Sequence, residues 1–126
     1  MREMLAMPGA FAFEAGDPAS LEGLVIARIG GGEAEILTIC VRPEARGQGL
    51  GRLLLEVAAA HAAAFGAEAL FLEVADDNRS ALRLYETAGF YLVGMRPGYY
   101  RRDGASVAAR TLKRDLAPLP GTVINP

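Results

Sequence analysis

The spacing of apolar positions changes several times along the chain, and each change marks a new element. Ala10–Glu14 reads Ala-Phe-Ala-Phe-Glu and predicts a short strand, closed by a turn at Gly16-Asp17-Pro18. Leu21–Ile29 predicts a second strand and Glu35–Val41 a third. Gly30-Gly31-Gly32 between them is a tight connection, so the pair reads as an antiparallel hairpin. Leu53–Phe65 is apolar, rich in alanine and free of glycine and proline, which predicts a helix ending at Gly66. Alanine is too frequent there for period alone to orient the helix. Arg52 and Glu56 mark its solvent side, and Leu54, Leu55 and Ala58 are the expected core contacts.

Ala69–Val74 is a strand apolar on both faces except at Glu73. Asp76-Asp77-Asn78 breaks it and offers capping groups to a helix over Arg79–Ala88, whose inner side is Ala81, Leu82 and Tyr85 and which Gly89 stops. Tyr91–Gly94 predicts a strand, Met95–Tyr100 an aromatic-tipped connection, Asp103-Gly104 a turn and Ser106–Leu112 the last strand. Met1–Met7 has the composition of one or two helical turns, and 117–126 reads as a proline-containing tail after a single domain over 1–116. The order is hairpin, helix, strand, helix, strand pair. That is an α/β (α+β) fold with a mixed sheet, in which strand, loop, helix and strand form a crossover joining parallel strands.

Between the third strand and the first long helix lies Val-Arg-Pro-Glu-Ala-Arg-Gly-Gln-Gly-Leu-Gly-Arg, Val41–Arg52. Gly47, Gly49 and Gly51 leave backbone N–H groups bare at the positive end of a helix, a site suited to a pyrophosphate. Arg42, Arg46 and Arg52 surround it with positive charge. A Walker loop needs Gly-Lys-Ser/Thr and a dinucleotide fingerprint Gly-x-Gly-x-x-Gly; neither is present. Plain turn chemistry is the other reading of these glycines.

Two further residues stand out. A carboxylate at Glu73, between Leu72 and Val74, faces either a polar cavity or solvent at a strand edge. In a cavity, burial would raise its pKa and suit it to general-base work. Tyr85 shares a helix face with Leu82, which fits core packing, yet a phenol also serves as a proton donor. His61 reads as a surface or edge histidine rather than a catalytic one, and Cys40 as a small buried apolar residue.

Arg46-Gly47-Gln48-Gly49-Leu50-Gly51 after a strand resembles the acetyl-CoA loop of the GCN5-related N-acetyltransferases (GNATs). Leu72-Glu73-Val74, then Asn78, then Ala-Leu-Arg-Leu-Tyr-Glu-Thr-Ala-Gly-Phe resembles the second half of the same core, with a likeness to the bacterial ribosomal-protein-alanine N-acetyltransferases. The resemblance spans roughly Leu21–Leu112. It implies that Ile39, Cys40 and Val41 pair with the pantetheine arm and that Gly47, Gln48, Gly49, Leu50, Gly51 and Arg52, with Arg46, hold the pyrophosphate. It further implies that Asn78 bonds the pantetheine, Glu73 is the general base through water and Tyr85 the general acid. Tyr99 and Tyr100 match the family's paired-tyrosine loop near the acceptor; hairpin packing is their other reading. The implied donor is acetyl-CoA, and the implied acceptor is the α-amino group of a protein N-terminus. A small-molecule amine, a lysine side chain, or a non-catalytic acetyl-CoA-binding module are the alternatives. The family's strand and helices before Ala10 are largely without counterpart here, which implies a shortened acceptor wall and either a monomer or a homodimer.

Composition narrows the classes. The chain has 126 residues and a net charge of −2, against broad nucleic-acid binding, with Lys113 its only lysine. Its arginines favour bidentate contacts to phosphate or carboxylate. One cysteine and one histidine exclude a disulfide and a His/Cys metal site. No apolar run has the length of a membrane span, and the N-terminus lacks the apolar core of a signal peptide, so a cytoplasmic enzyme without a metal is expected.

Overall fold

The structure, a computed structural model, describes residues 5–117. Strands β1 (Ala10–Asp17), β2 (Ser20–Gly30) and β3 (Glu33–Val41) precede a 3-10 turn at Pro43–Ala45 and helix α1 (Leu50–Ala64). Then come β4 (Ala69–Ala75), α2 (Arg79–Thr87), β5 (Tyr91–Arg102) and β6 (Ala105–Asp115). The strands form one mixed sheet in the order β1-β2-β3-β4-β6-β5. The β2–β3 hairpin is antiparallel and turns on Gly31 and Gly32, both with positive φ, as the glycine run predicts. β3 and β4 are parallel, as the crossover predicts.

Side chains from both helices join one core cluster with alternate residues of the strands, among them Val25, Ala27, Ala34, Ile36, Leu70, Leu72 and Leu112. Leu54, Leu55 and Ala58 lie in it as expected, and burying each leucine contributes about 1.5–3 kcal/mol. Gly66, with φ +91°, ends α1 where predicted. Among the described residues no helix is long and apolar enough to cross a membrane.

β3 and β4 stay in register only over Glu33–Glu35 and Ala69–Phe71. Ile26 pairs with Thr38 and Ala27 with Ile36, so Leu37 is an extra residue in β3 at the point where the strands part. Such a bulge bends its strand. Beyond it, the inner edges of β3 and β4 face each other across a gap rather than a hydrogen-bonded ladder.

Several boundaries differ from expectation. The turn expected at Gly16-Asp17-Pro18 lies at Pro18–Ala19, because Gly16 (φ +99°) takes up a bulge and lets β1 continue to Asp17. The helix starts at Leu50 rather than Leu53, with Gly49 as its N-cap. Met95–Tyr100 is not a connection: β5 runs through it, absorbing its surplus residues in register shifts at Leu92/Gly94 and Arg96/Tyr100. Residues 1–4 of the expected N-terminal turns and 118–126 of the expected tail lie outside the described residues.

Glu56 does more than mark a solvent face. Its carboxylate accepts hydrogen bonds from Arg114 Nη1 at 2.8 Å and Nη2 at 2.9 Å, tying α1 to β6, and from Arg52 Nε at 3.0 Å. The Arg114 hydrogen bond holds the Glu56 pKa below its ordinary value. A depressed carboxylate pKa adds stability above the unfolded-state value and loses it as pH falls through the folded-state value. Glu56→Gln is therefore expected to lower the Tm at pH 7 by about 3–6 °C, the scale of roughly 1 kcal/mol for a half-exposed pair in a small domain. The gap to wild type should close as pH falls below 4.5. A gap that does not change with pH in thermal melts would assign the loss to packing instead.

Candidate functional site

The loop after β3 is built to leave its backbone unpaired. Gly47 (φ +78°) and Gly49 (φ +79°) adopt the left-handed conformation that side-chain-bearing residues avoid. None of the backbone N–H groups from Gly47 through Arg52 donates to a backbone carbonyl among the described residues. They gather at the positive end of α1, and a Cβ built on Gly47 or Gly49 meets nothing within 4 Å, so the cradle is open. At Gly51 a Cβ would touch Leu84 Cδ2 at 3.4 Å, so glycine there lets α2 close on the loop. Arg46 donates from Nε to the Val41 carbonyl at 3.1 Å, which fixes its guanidinium beside the loop.

Two cavities fill the gap between β3 and β4. The larger, about 400 Å³, runs along Ile39–Val41, the glycine loop and the α2 residues Ala81, Leu84 and Tyr85. The smaller, about 240 Å³, is lined by Glu73, Tyr85, Tyr100 and Arg102 among others. Ile39, Asn78, Ala81 and Tyr85 line both, so one passage leads from the anion cradle to Glu73.

Each chemical group in the passage has an identifiable support. Asn78 caps α2: its Oδ1 accepts from the Ala81 N–H and the Ser80 hydroxyl, each at 3.3 Å, leaving its Nδ2 for a ligand. The corner before it is pinned to the β5–β6 arm by Arg110–Asp76 and by Arg102–Asp77 at 3.5 Å. Tyr85 is 7% exposed and packs edge-on against Phe90 at 5.8 Å. Burial pushes its phenol pKa above the ordinary value, so it holds its proton across the physiological range. Its hydroxyl has no hydrogen-bond partner among the described residues and is not sealed off, so it opens into the passage. Burial and the nearby Glu73 carboxylate likewise push Tyr100 up.

Glu73 differs from one expectation. The residue is exposed rather than buried, because β4 has lost β3 as a neighbour at that level, although its side chain is only 28% exposed. It faces the polar cavity all the same, with Arg96 Nη1 3.8 Å from its Oε1. Cys40 is exposed too, not buried, since the parting of the strands leaves its flank uncovered.

Of the expected cofactor residues, Ile39, Cys40, Val41, Arg46, Gly47, Gly49, Leu50, Gly51 and Asn78 line the larger cavity. The side chains of Gln48 and Arg52 do not. Gln48 lines a separate hollow with Ser20 and Arg42, and Arg52 is engaged by Glu56; only their N–H groups belong to the cradle. Tyr100 reaches the smaller cavity, whereas Tyr99 stacks on it edge-on at 5.0 Å. Thr38, Arg96 and Arg102 were absent from the expected set, although the Arg96-Pro97-Gly98 run signals the bulge that aims the arm. His61 lies away from the passage, against Phe11 at 4.3 Å and Phe65 at 4.7 Å.

Comparison with known proteins bears on what such a passage holds. Residues 8–90, more than half of the chain, match the acetyltransferase (GNAT) family. The chain belongs to that family. This GNAT chain is 43% identical over 83 residues to the N-alpha-acetyltransferase RimI of Mycobacterium tuberculosis, covering 66% of the chain and 49% of that protein. It is 46% identical over 59 residues to the mycothiol acetyltransferase of Mycobacteroides abscessus, covering 47% of the chain and 20% of that protein. The crystal structure of the Escherichia coli ribosomal-protein-S18-alanine N-acetyltransferase superposes with a TM-score of 0.85 at 25% identity, over 98% of the chain and 80% of that protein. The chain spans about half or less of the length of the curated relatives it matches. GNAT proteins use acetyl-CoA, and the mixed sheet expected from the sequence is the GNAT sheet.

The cradle, the apolar walls at Ile39, Val41 and Leu84 and the free amide of Asn78 fit that molecule's diphosphate and pantetheine. Acetyl-CoA is thus expected to raise the Tm, by mass-action linkage, more than NAD or ATP at equal concentration. Gly49→Val should abolish most of the shift, because a branched residue cannot hold φ +79° without strain and the N–H groups lose their arrangement. Full retention of the shift in a folded Gly49→Val variant would remove the loop from the site.

Proposed function

We propose that the chain is an acetyl-CoA-dependent N-acetyltransferase acting on the α-amino group of a polypeptide N-terminus, with residues 1–116 forming an acetyltransferase domain. The observation that carries this reading is the passage itself, which joins an anion cradle at one end to a carboxylate and a buried phenol at the other. A binding module needs the cradle alone. Acetyl-CoA supplies an activated thioester, and the passage fixes where a nucleophile meets it.

The chemistry follows from what each group holds. An α-amine is nucleophilic only when neutral, and near pH 7 it is partly protonated. Glu73, which lines the polar cavity with its side chain partly exposed, accepts the ammonium proton directly or through one water. The amine then attacks the thioester carbonyl, and the C–S bond breaks as the tetrahedral adduct collapses without an acyl-enzyme. The nitrogen sheds its second proton to water, from which Tyr85 is later reprotonated. Tyr85, kept protonated by burial, donates to the departing thiolate. Ile39–Val41, unpaired on the β4 side, offers backbone groups to the pantetheine arm.

The polypeptide acceptor is supported by the likeness to RimI and to the S18-alanine enzyme, together with Tyr100 in the lining of the smaller cavity. A second reading, a small-molecule amine, is supported by the likeness to mycothiol acetyltransferase. A panel of a peptide with free N-terminal Ala, its N-blocked form with an internal lysine, and small amines separates them; the first should react fastest. In the same assay Glu73→Gln should lose activity most at low pH and recover partly as pH rises and the amine deprotonates unaided. Tyr85→Phe should lose activity while keeping the acidic limb. Each loss should be roughly a hundred- to ten-thousand-fold. Near wild-type rates for both folded variants across pH 6 to 9 would contradict the proton-transfer roles.

A further inference from the structure

We propose that Arg96 is a specificity-determining residue that reads the carbonyl group next to the acceptor's α-amine, so that acceptors lacking that carbonyl are disfavoured. The inference rests on Glu73 receiving the amine and deepens that reading by naming the chemical unit recognised.

The geometry around Arg96 is that of a pair held open. Arg96 Nη1 stands 3.8 Å from Glu73 Oε1. A guanidinium and a carboxylate free to close would meet at about 2.8 Å in a charge-assisted hydrogen bond. The Arg96 side chain has a second partner on β5. The Arg96 guanidinium lies over the Tyr99 ring, 5.1 Å from its centroid, and Tyr99 packs edge-on against Tyr100. The register shift between Arg96 and Tyr100 produces this stack, and Gly98 (φ +65°) makes it possible. A Cβ on Gly98 would meet Ser106 Cβ at 3.4 Å, in ordinary contact, so it is the positive φ that favours glycine there. The arm is thus shaped to hold a cation near Glu73 without letting it collapse onto the carboxylate.

A gap of this kind suits a particular fragment. In an α-amino amide the nitrogen and the carbonyl oxygen are three bonds apart, roughly 3 Å through space. The amine N–H can then donate to Glu73 while the carbonyl oxygen accepts from Arg96, satisfying two charged groups that fall short of each other. A lysine ε-amine or a simple alkylamine has no acceptor atom at that distance. Its ammonium can pair with Glu73 but leaves the Arg96 guanidinium without a carbonyl acceptor. Arg96 is 61% exposed, so an acceptor reaches it without rearrangement of the core.

The test uses the full chain, acetyl-CoA, the free-Ala peptide and the N-blocked lysine peptide. Arg96→Met should raise the KM for the Ala peptide by roughly ten- to a hundred-fold, the scale of one lost hydrogen bond to a charged group. It should leave the acetyl-CoA-induced Tm shift intact, which also reports that the variant is folded. Its preference for the Ala peptide over the lysine peptide should shrink, and Arg96→Lys should recover part of the KM. Tyr99→Ala should act in the same direction by letting Arg96 collapse onto Glu73. An unchanged KM for the Ala peptide in Arg96→Met, or an equal loss on both peptides, would overturn the proposal. A wild-type chain that favours the lysine peptide would instead sink the α-amine reading on which it rests.

Discussion

Everything in the site depends on the parting of β3 from β4. A parallel pair that continued past Glu35 and Phe71 would satisfy its own backbone and leave no room between the strands. The extra residue at Leu37 turns β3 aside where the ladder stops, and the unpaired edges on either side become the walls of the passage. The gap persists because the rest of the sheet is closed on both flanks: β2 holds β3, β6 holds β4, and one core cluster ties both halves to the helices. The cost of the unsatisfied backbone in the gap is offset elsewhere, and a ligand that supplies hydrogen bonds there finds a partly prepared site.

The same parting divides labour between backbone and side chains. At the α1 end the chain offers backbone N–H groups, a helix dipole and the Arg46 guanidinium, which suit phosphate charge and shape without a lysine. At the β4 end it offers side chains whose surroundings differ sharply. Tyr85 is enclosed and therefore keeps its proton, while Glu73 lines the polar cavity with its side chain partly exposed. The proposed mechanism gives the two groups opposite tasks, with α2 and its Asn78 cap fixing the enclosed one and the bulged β5 arm bordering the other.

Features set by local sequence were legible before the fold was known. Left-handed glycines at 47 and 49, the cap at Asn78 and the stop at Gly66 are short-range requirements, and each stands where the sequence placed it. So do Leu54, Leu55 and Ala58, even though alanine blurs the helical period. Features that depend on distant pairing were not legible. Glu73 read as facing either a polar cavity or solvent at a strand edge, because nothing in Ala69–Ala75 says that its neighbour departs after Phe71. Cys40 is exposed for the same reason, from the other wall. Gly94 and Pro97-Gly98 read as chain breaks, yet the partner strand β6 carries β5 through them as bulges, and this places Arg96 beside Glu73. Arg52 had the charge for a phosphate contact, but Glu56, one helical turn away, takes it.

The central claim is that acetyl-CoA lies in the gap with its diphosphate on the glycine loop and its pantetheine arm along β3. Backbone amide resonances of an isotope-labelled chain, followed during titration with acetyl-CoA, test it directly. The largest shifts are expected at Gly47–Arg52, with a second group at Ile39–Val41 and Asn78. Shifts gathering instead around Arg28, Glu35 and Phe71, which line the other large hollow of the sheet, with Gly47–Arg52 unmoved, would contradict it.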